Sequence, residues 1–204
     1  EVSDAYIGSY DISDLNNIQE VDRIQSNPGS NSIPHNVHVD GNFLITSYYR
    51  DGTVVHDITN PNNLIEVAHY DSSPLSGDGF DGCWGTYPFL PSGNIISSDI
   101  NSGNNNNGRL LVYSRDFLQA CYLEGNVSDI SNSNPITNAT IEILNPVLTI
   151  QTNSDLAGNY MTGIANSSSY DVIFSAPGFV SDTINASFTN GNTCLLYTSP
   201  SPRD

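Results

Sequence analysis

A twelve-residue pattern occurs twice in this chain, and the distance between its copies restricts the folds available to it. Residues 10–21 match residues 56–67 without a gap, so the copies are offset by 46 residues, from Tyr10 to His56. No apolar stretch of the chain keeps a helical period over three turns. A repeat of roughly 40–50 residues built from short strands is typical of β-propeller blades.

The residues between the copies divide into short strands rich in Val, Ile, Phe and Tyr. Asx-Gly and Asn-Pro turns, which reverse a chain within about two residues, lie between them. The segments are 37–40, 43–48, 53–58 and 65–70. Four short antiparallel strands joined by tight turns form one blade, so the sequence predicts an all-β fold.

A looser third copy follows, in which residues 93–98 resemble 41–46 and residues 109–113 take the place of 53–57. Residues 1–114 are therefore predicted to form about two and a half blades of a partial β-propeller. Because propellers close with about four to eight blades, we expect the propeller to be truncated at its N-terminus.

Residues 6–113 resemble the choice-of-anchor B family of bacterial surface proteins, which are built on LVIVD-type propeller repeats. Three motifs carry this resemblance, namely Pro34-His35-Asn36-Val37-His38-Val39, Ser47-Tyr48-Tyr49-Arg50-Asp51-Gly52, and the longer Gly82-Cys83-Trp84-Gly85-Thr86-Tyr87-Pro88-Phe89-Leu90-Pro91-Ser92-Gly93-Asn94-Ile95. The resemblance implies the C-terminal part of that propeller and a location that is extracellular or on the outer cell surface.

The pattern changes after a predicted linker at residues 115–120. Residues 139–143 and 170–174 alternate polar with apolar side chains, as half-buried strands do, and Pro177-Gly178 marks a turn. Residues 121–193 resemble the carboxypeptidase regulatory-like domain, which implies a small transthyretin-like β-sandwich of about seven strands. The resemblance does not extend to the zinc-binding catalytic domain of carboxypeptidases.

The last eleven residues, 194–204, resemble a translated sequencing adapter. The resemblance covers Cys194-Leu195-Leu196-Tyr197-Thr198-Ser199-Pro200-Ser201-Pro202-Arg203-Asp204 in one frame. We therefore predict a non-native tail and expect the sandwich to end by residue 193.

The charge of the chain argues against several classes of partner. The formal net charge is −17, and all five basic residues are arginines that are scattered along the sequence. Without a basic stripe to neutralise phosphates, nucleic acid is not expected as a partner. No run of about 18 apolar residues is present, so no membrane span is expected either.

An aromatic-rich set makes up the candidate ligand-binding residues. It comprises Trp84, Tyr87, Phe89, Tyr48 and Tyr49, to which Arg50 and His35 of the family motifs are added. Aromatic rings near a propeller mouth stack on sugars or peptides, which predicts an extracellular glycan or protein ligand. The alternative is that the rings pack between blades.

Metal and catalytic signals are weaker. Asp78 and Asp81 lie in a Gly-rich loop whose oxygen ligands are of the type that Ca²⁺ prefers, so a calcium site is one hypothesis and a plain connecting loop the other. No other cofactor is indicated.

His35 and His38 enter a strand three residues apart, a spacing that disfavours a shared metal. Cys83 and Cys121 either form one disulfide or remain unpaired. No Gly-x-Ser-x-Gly signature of a hydrolase is present.

Three functions follow from these observations. The first is a non-enzymatic, secreted or cell-surface bacterial protein in which the propeller binds a ligand or mediates adhesion and the sandwich acts as a spacer. The second is a fragment of a propeller enzyme, a hydrolase or lyase, with catalytic residues partly in missing blades. The third is a structural protein of the surface or matrix.

Overall fold

The computed structural model describes residues 5–100, 107–147 and 149–202, and in these ranges every regular element is a β-strand. The all-β prediction is confirmed. The chain divides into two compact units, Glu1–Gln119 (unit 1) and Ala120–Asp204 (unit 2). The described ranges contain no helix long and apolar enough to cross a membrane.

The described residues of unit 1 form three antiparallel sheets in which strands follow one another in chain order. The first sheet consists of β1 (Ile7–Asp11) and β2 (Gln19–Ile24). The second consists of β3 (Asn36–Asp40), β4 (Phe43–Ser47), β5 (Thr53–Asp57) and β6 (Ile65–Tyr70). The third consists of β7 (Gly82–Tyr87), β8 (Ile95–Ile100) and β9 (Arg109–Tyr113).

The sequence repeat corresponds to a repeated hairpin. In both hairpins, β1–β2 and β5–β6, the register shifts at the matching position, between Ser9 and Tyr10 and between Val55 and His56. The aspartate that follows has the same role in each copy. The Asp11 carboxylate accepts a hydrogen bond from the backbone N–H of Ser13 at 2.9 Å, and the Asp57 carboxylate accepts one from Thr59 at 2.8 Å. These Asx turns explain why the Asp-Ile-Ser/Thr pattern recurs.

The second sheet is covered on both faces. Ile7 of the first sheet packs against Leu44, Tyr48 and Val54 on one face. On the other face Ile45 and Val55 pack against Ile95 of the third sheet, together with Phe43 and Tyr113. Consequently all five residues of β5 are buried, including its polar ones.

The orientation of the third sheet differs from the blade prediction. Phe43 and Ile95 occupy equivalent positions of the repeat, and both point into the same apolar cluster. The second and third sheets thus pack through equivalent faces, whereas consecutive propeller blades pack through opposite faces. The predicted succession of blades is not confirmed at this interface. The physical reason is that the buried face of the third sheet contains Ile95, while its other face leaves Leu110 and Val112 exposed.

Unit 2 is built from two sheets. One has the order β13 (Asn159–Ile164), β10 (Cys121–Val127), β16 (Thr193–Thr198). The other has the order β12 (Ile150–Asn153), β11 (Thr140–Leu144), β14 (Ser168–Ser175), β15 (Asp182–Phe188). Their apolar side chains form one core that includes Leu123, Val127, Ile141, Val172 and Phe174, all fully buried. The described part of unit 2 therefore has the layered form of a small sandwich.

The fold of unit 2 extends beyond residue 193, where the sequence analysis places its end. β16 pairs in parallel with β10, from Tyr122 opposite Thr193 to Val127 opposite Thr198. Gly125 makes this pairing feasible, because a Cβ at that position would lie 1.7 Å from the carbonyl oxygen of Leu196. The adapter origin of residues 194–204 remains a prediction, and residues 203 and 204 lie outside the described ranges.

His56 is a polar side chain of the core without a hydrogen-bond partner among the described residues. It is fully buried, and neither ring nitrogen has a hydrogen-bond partner among the described residues. Burial lowers the pKa of His56 to about 4, since desolvation penalises the charged imidazolium. A buried polar group without a partner costs about 1–3 kcal/mol of stability.

We predict that His56→Leu stabilises unit 1, and more so at lower pH. Because the folded-state pKa lies below the unfolded value, the unfolded state binds more protons and native stability falls as pH drops from about 6.5 towards 4. The variant should be more stable by roughly 1 kcal/mol at pH 7.5 and by roughly 2 kcal/mol more at pH 5. Urea unfolding followed by the emission of Trp84, the one tryptophan of the chain, measures this. An identical gain in stability at both pH values would contradict the lowered pKa of His56. His69, which is exposed, provides the control substitution.

A second prediction concerns Gly125. Gly125→Ala should destabilise unit 2 by roughly 2–3 kcal/mol, because the new methyl group collides with the backbone of β16. In a chain that lacks residues 194–204 the same substitution should cost far less, since the colliding strand is gone. Calorimetry of the full and the truncated chain, each with Gly125 and with Gly125→Ala, gives the coupling between this substitution and β16 directly. Equal costs in both backgrounds would show that β16 does not lie beside β10.

Candidate ligand-binding surface

The candidate surface lies in unit 1, where the edge strands β3 and β7 approach each other. His35 precedes β3 and is fixed by its backbone N–H, which donates to the carbonyl of Ser47 at 2.8 Å. Its side chain is exposed. The imidazole stacks on Trp84 with ring centroids 5.8 Å apart and an angle of 23° between the planes.

Trp84 is directed to the surface by a β-bulge. The register between β7 and β8 shifts from Cys83 to Gly85, so Trp84 has no partner residue on β8. Its indole is 52% exposed, and its carbonyl accepts a hydrogen bond of 2.6 Å from Nδ1 of His35. Since a carbonyl can only accept, Nδ1 carries the proton, and Nε2 of the neutral ring is an acceptor. A bulge that re-aims a side chain in this way is typical of binding sites.

Tyr49 connects the second and third sheets beneath these rings. Its carbonyl accepts a hydrogen bond from the backbone N–H of Cys83 at 2.8 Å. Gly82 permits this close approach, because its φ is +91° and a Cβ there would lie 2.3 Å from the Tyr49 oxygen. The Tyr49 ring contacts His35 at 5.1 Å and the exposed ring of Phe80 at 5.4 Å. We call His35, Tyr49, Phe80 and Trp84 the Trp84 cluster.

Arg50 holds the loop that carries Phe80. Its guanidinium donates to the carbonyl of Ser76 at 2.7 Å and to the carboxylate of Asp81 at 3.1 Å. The side chains of Arg50 and Asp81 are 19% and 29% exposed, so water only partly screens the ion pair. Arg50 therefore supports the surface by fixing the loop.

A second group of rings lies along the same pair of strands. His38 of β3 contacts Tyr87 at 6.4 Å and Phe89 at 5.8 Å, both edge to face. The rings of Tyr87 and Phe89 are each 46% exposed. We call these three residues the Tyr87 cluster.

The structure brings together most of the predicted binding residues, although Tyr49 is buried beneath the exposed rings, and it separates Tyr48 from them. Tyr48 is fully buried, packs with Leu44 and Val54, and approaches the carbonyl of Ala5 with its hydroxyl at 3.5 Å. Burial raises the pKa of Tyr48 to about 12. The prediction that Tyr48 belongs to the ligand-binding set is therefore wrong, because this side chain completes the core between the first and second sheets.

Two ring residues were missed as binding residues. Phe80 lies between Asp and Gly residues that draw attention to metal binding, and His38 was considered only as a metal ligand. The sequence signal that relates His38 to the surface is the equal spacing of the pairs His35–His38 and Trp84–Tyr87. That spacing acquires a meaning only when β3 and β7 are known to be neighbours.

The described residues do not provide a set of ligands for the predicted calcium ion. Asp81 is paired with Arg50, and Asp78 lies exposed in the loop. In the described ranges no group of three or more His, Cys, Asp or Glu side chains is arranged to hold a metal ion.

Cys83 and Cys121 belong to different units and are both free thiols, so the disulfide alternative is wrong.

Acidic groups next to Arg50 make the local field negative. Burial, chiefly, raises the pKa of Asp51 to about 6, and the neighbouring charges of Asp71 and Glu66 add to the effect. Above this pH the turn after β4 carries an additional negative charge. The surroundings of the Trp84 cluster therefore do not favour an anionic ligand at neutral pH.

Comparisons with known proteins give no family. No protein-family model and no curated protein matches the chain. Among solved structures it is similar to the minor pilin GBS52 of Streptococcus agalactiae, with 9% identity over 74% of this chain and 69% of that one and a TM-score of 0.34. The Bacillus anthracis TIE protein gives 10% identity over 86% of this chain and 40% of that one, with a TM-score of 0.37. The group B streptococcus pilus 2b backbone protein gives 10% identity over 98% and 79%, with a TM-score of 0.33.

We predict that Arg50→Met loosens the loop at residues 71–81. Loss of the two hydrogen bonds should lower the stability of unit 1 by roughly 1–2 kcal/mol and make this loop the first site of proteolytic cleavage. Limited proteolysis with mass spectrometry and urea unfolding measure the two effects. Arg23→Met is the matched control, because Arg23 is more exposed than Arg50 and pairs with Glu20 at the surface. Equal effects of both substitutions would contradict a supporting role for Arg50.

Proposed function

We propose that this chain is part of a non-enzymatic, secreted or cell-surface bacterial protein whose unit 1 binds an extracellular ligand. The observation that carries the proposal is the exposed Trp84 indole, which a bulge turns outwards and which stacks on the His35 imidazole, itself anchored by a hydrogen bond to the Trp84 carbonyl. Burying this ring against a partner removes a large apolar area from water at little entropic cost, because its conformation is already fixed.

The propeller and family assignments belong to the same proposal. The 46-residue repeat and the matching hairpins of β1–β2 and β5–β6 support an LVIVD-type array at residues 6–113. Residues 121–193, with their resemblance to the carboxypeptidase regulatory-like domain, act as a spacer or secondary binding module. The resemblance to choice-of-anchor B proteins is the basis for the extracellular or cell-surface location.

A structural protein of the bacterial surface is the second candidate. The outer face of the third sheet favours it, because Leu110 and Val112 are 71% and 60% exposed and lie side by side with Ile96. An apolar strip of this kind on an ordered sheet is typical of surfaces that assemble with other subunits. If this candidate is correct, copies of the chain assemble with one another and no ligand binds at the Trp84 cluster.

We predict that Trp84→Ala weakens ligand binding at least tenfold without unfolding unit 1. On arrays of immobilised glycans and peptides, the parent chain should bind at least one probe class, and the variant should lose at least tenfold in affinity, about 1.4 kcal/mol. Tyr10→Ala is the matched control, since Tyr10 is a 50% exposed ring on the first sheet and lies outside both clusters. Circular dichroism checks that all three proteins are folded.

Two results would contradict the binding proposal. One is that the parent chain binds no probe on either array. The other is that Trp84→Ala and Tyr10→Ala bind equally well. Concentration-dependent assembly in sedimentation experiments, combined with silence on the arrays, would favour the structural candidate instead.

A further inference from the structure

We infer that the ligand of this surface is a linear glycan without anionic groups, which binds along β3 and β7 and contacts the Trp84 cluster and the Tyr87 cluster together. The inference rests on the proposed binding function and names its ligand class. It is carried by the spacing of the clusters, by the way their rings are presented and by the charges beside them.

The two clusters are spaced alike on both strands. His35 contacts Trp84 and His38 contacts Tyr87, so three residues separate the contacts on each side. At about 3.3 Å per residue of strand, the contacts lie roughly 10 Å apart. This distance exceeds the width of one sugar ring. A monosaccharide therefore covers one cluster, and a chain of several sugars reaches both.

The rings of each cluster pack against one another, mostly edge to face, and Trp84, Tyr87 and Phe89 stay about half exposed. Within each cluster the neighbouring rings touch, with centroids between 5.1 and 6.4 Å apart. Each cluster therefore presents packed ring surfaces, whereas peptide recognition usually depends on an apolar anchor side chain that enters a pocket. A pyranose ring needs only an exposed aromatic face for its C–H surface, and groups such as the Tyr87 hydroxyl and the His35 imidazole for its hydroxyls.

The charges near the clusters exclude a polyanion. Arg50 is paired with Asp81, and Arg115 pairs with Asp40 and donates to the carbonyl of Pro88 at 2.6 Å. Both guanidiniums are thus occupied by groups of the protein itself. With a formal net charge of −17 the chain repels carboxylated and sulfated polymers. An uncharged or amino-substituted glycan meets no such barrier.

The experiment is a calorimetric titration of the full chain with defined oligosaccharides. The probes are β-1,4-linked glucose, mannose and N-acetylglucosamine and α-1,4-linked glucose, each as a disaccharide and a hexasaccharide, and carboxymethylated cellohexaose. We expect at least one uncharged series to bind, with a hexasaccharide affinity at least tenfold above that of its disaccharide. The carboxymethylated probe should not bind.

Variants separate the two clusters. Tyr87→Ala and Phe89→Ala should remove the advantage of the hexasaccharide over the disaccharide. Trp84→Ala should weaken both ligands, and Tyr10→Ala neither. Near-ultraviolet circular dichroism confirms that each variant retains the parent fold.

Four outcomes would overturn the inference. Equal affinity for disaccharide and hexasaccharide would contradict binding across both clusters. Tighter binding of the carboxymethylated probe would contradict the charge argument. Binding to peptides on the array, lost in Trp84→Ala, with no uncharged oligosaccharide bound, refutes the glycan and leaves the proposed binding function intact. Silence on every probe refutes both.

Discussion

The structure of unit 1 depends on the need to bury both faces of the second sheet. β4 and β5 are almost continuously buried, so neither face can be left to water without a large loss of hydrophobic stabilisation. The first sheet covers one face and the third sheet covers the other. The third sheet then brings β7 alongside β3, and only this placement puts Trp84 beside His35. The candidate binding surface is thus a consequence of core packing.

Local chemistry made much of this fold predictable. Asx-Gly turns and short apolar runs give the strands of the second sheet nearly residue by residue, and the repeat reflects the turns that Asp11 and Asp57 initiate. What the sequence could not supply is the choice between two usable sheet faces. Phe43 and Leu44 are both apolar neighbours on one strand, so the pattern alone does not decide which face meets the third sheet. The same ambiguity placed Tyr48 with the surface aromatics when it belongs to the core.

The binding surface shows a similar division between local and distant causes. Its aromatic residues stand out in the sequence because they fall in one dense segment, but their partners on β3 lie about fifty residues away and are related to them only through the fold. The loop before β7 illustrates the point further. Its aspartates suggested calcium ligands, whereas the structure uses Asp81 to pair with Arg50 and so to fix the position of Phe80. The charged pair in this loop therefore fixes the position of an exposed aromatic ring.

The pairing of β10 with β16 has a mechanical consequence. These are the first and last strands of unit 2, and they run parallel over six residue pairs. A force that pulls the two ends of the unit apart draws β10 from its beginning and β16 from its end, in opposite directions along the strand axes. The backbone hydrogen bonds between them are then loaded in shear, all at once, and must rupture together. A unit connected in this way resists tension much better than one whose terminal strands are antiparallel and unzip one bond at a time.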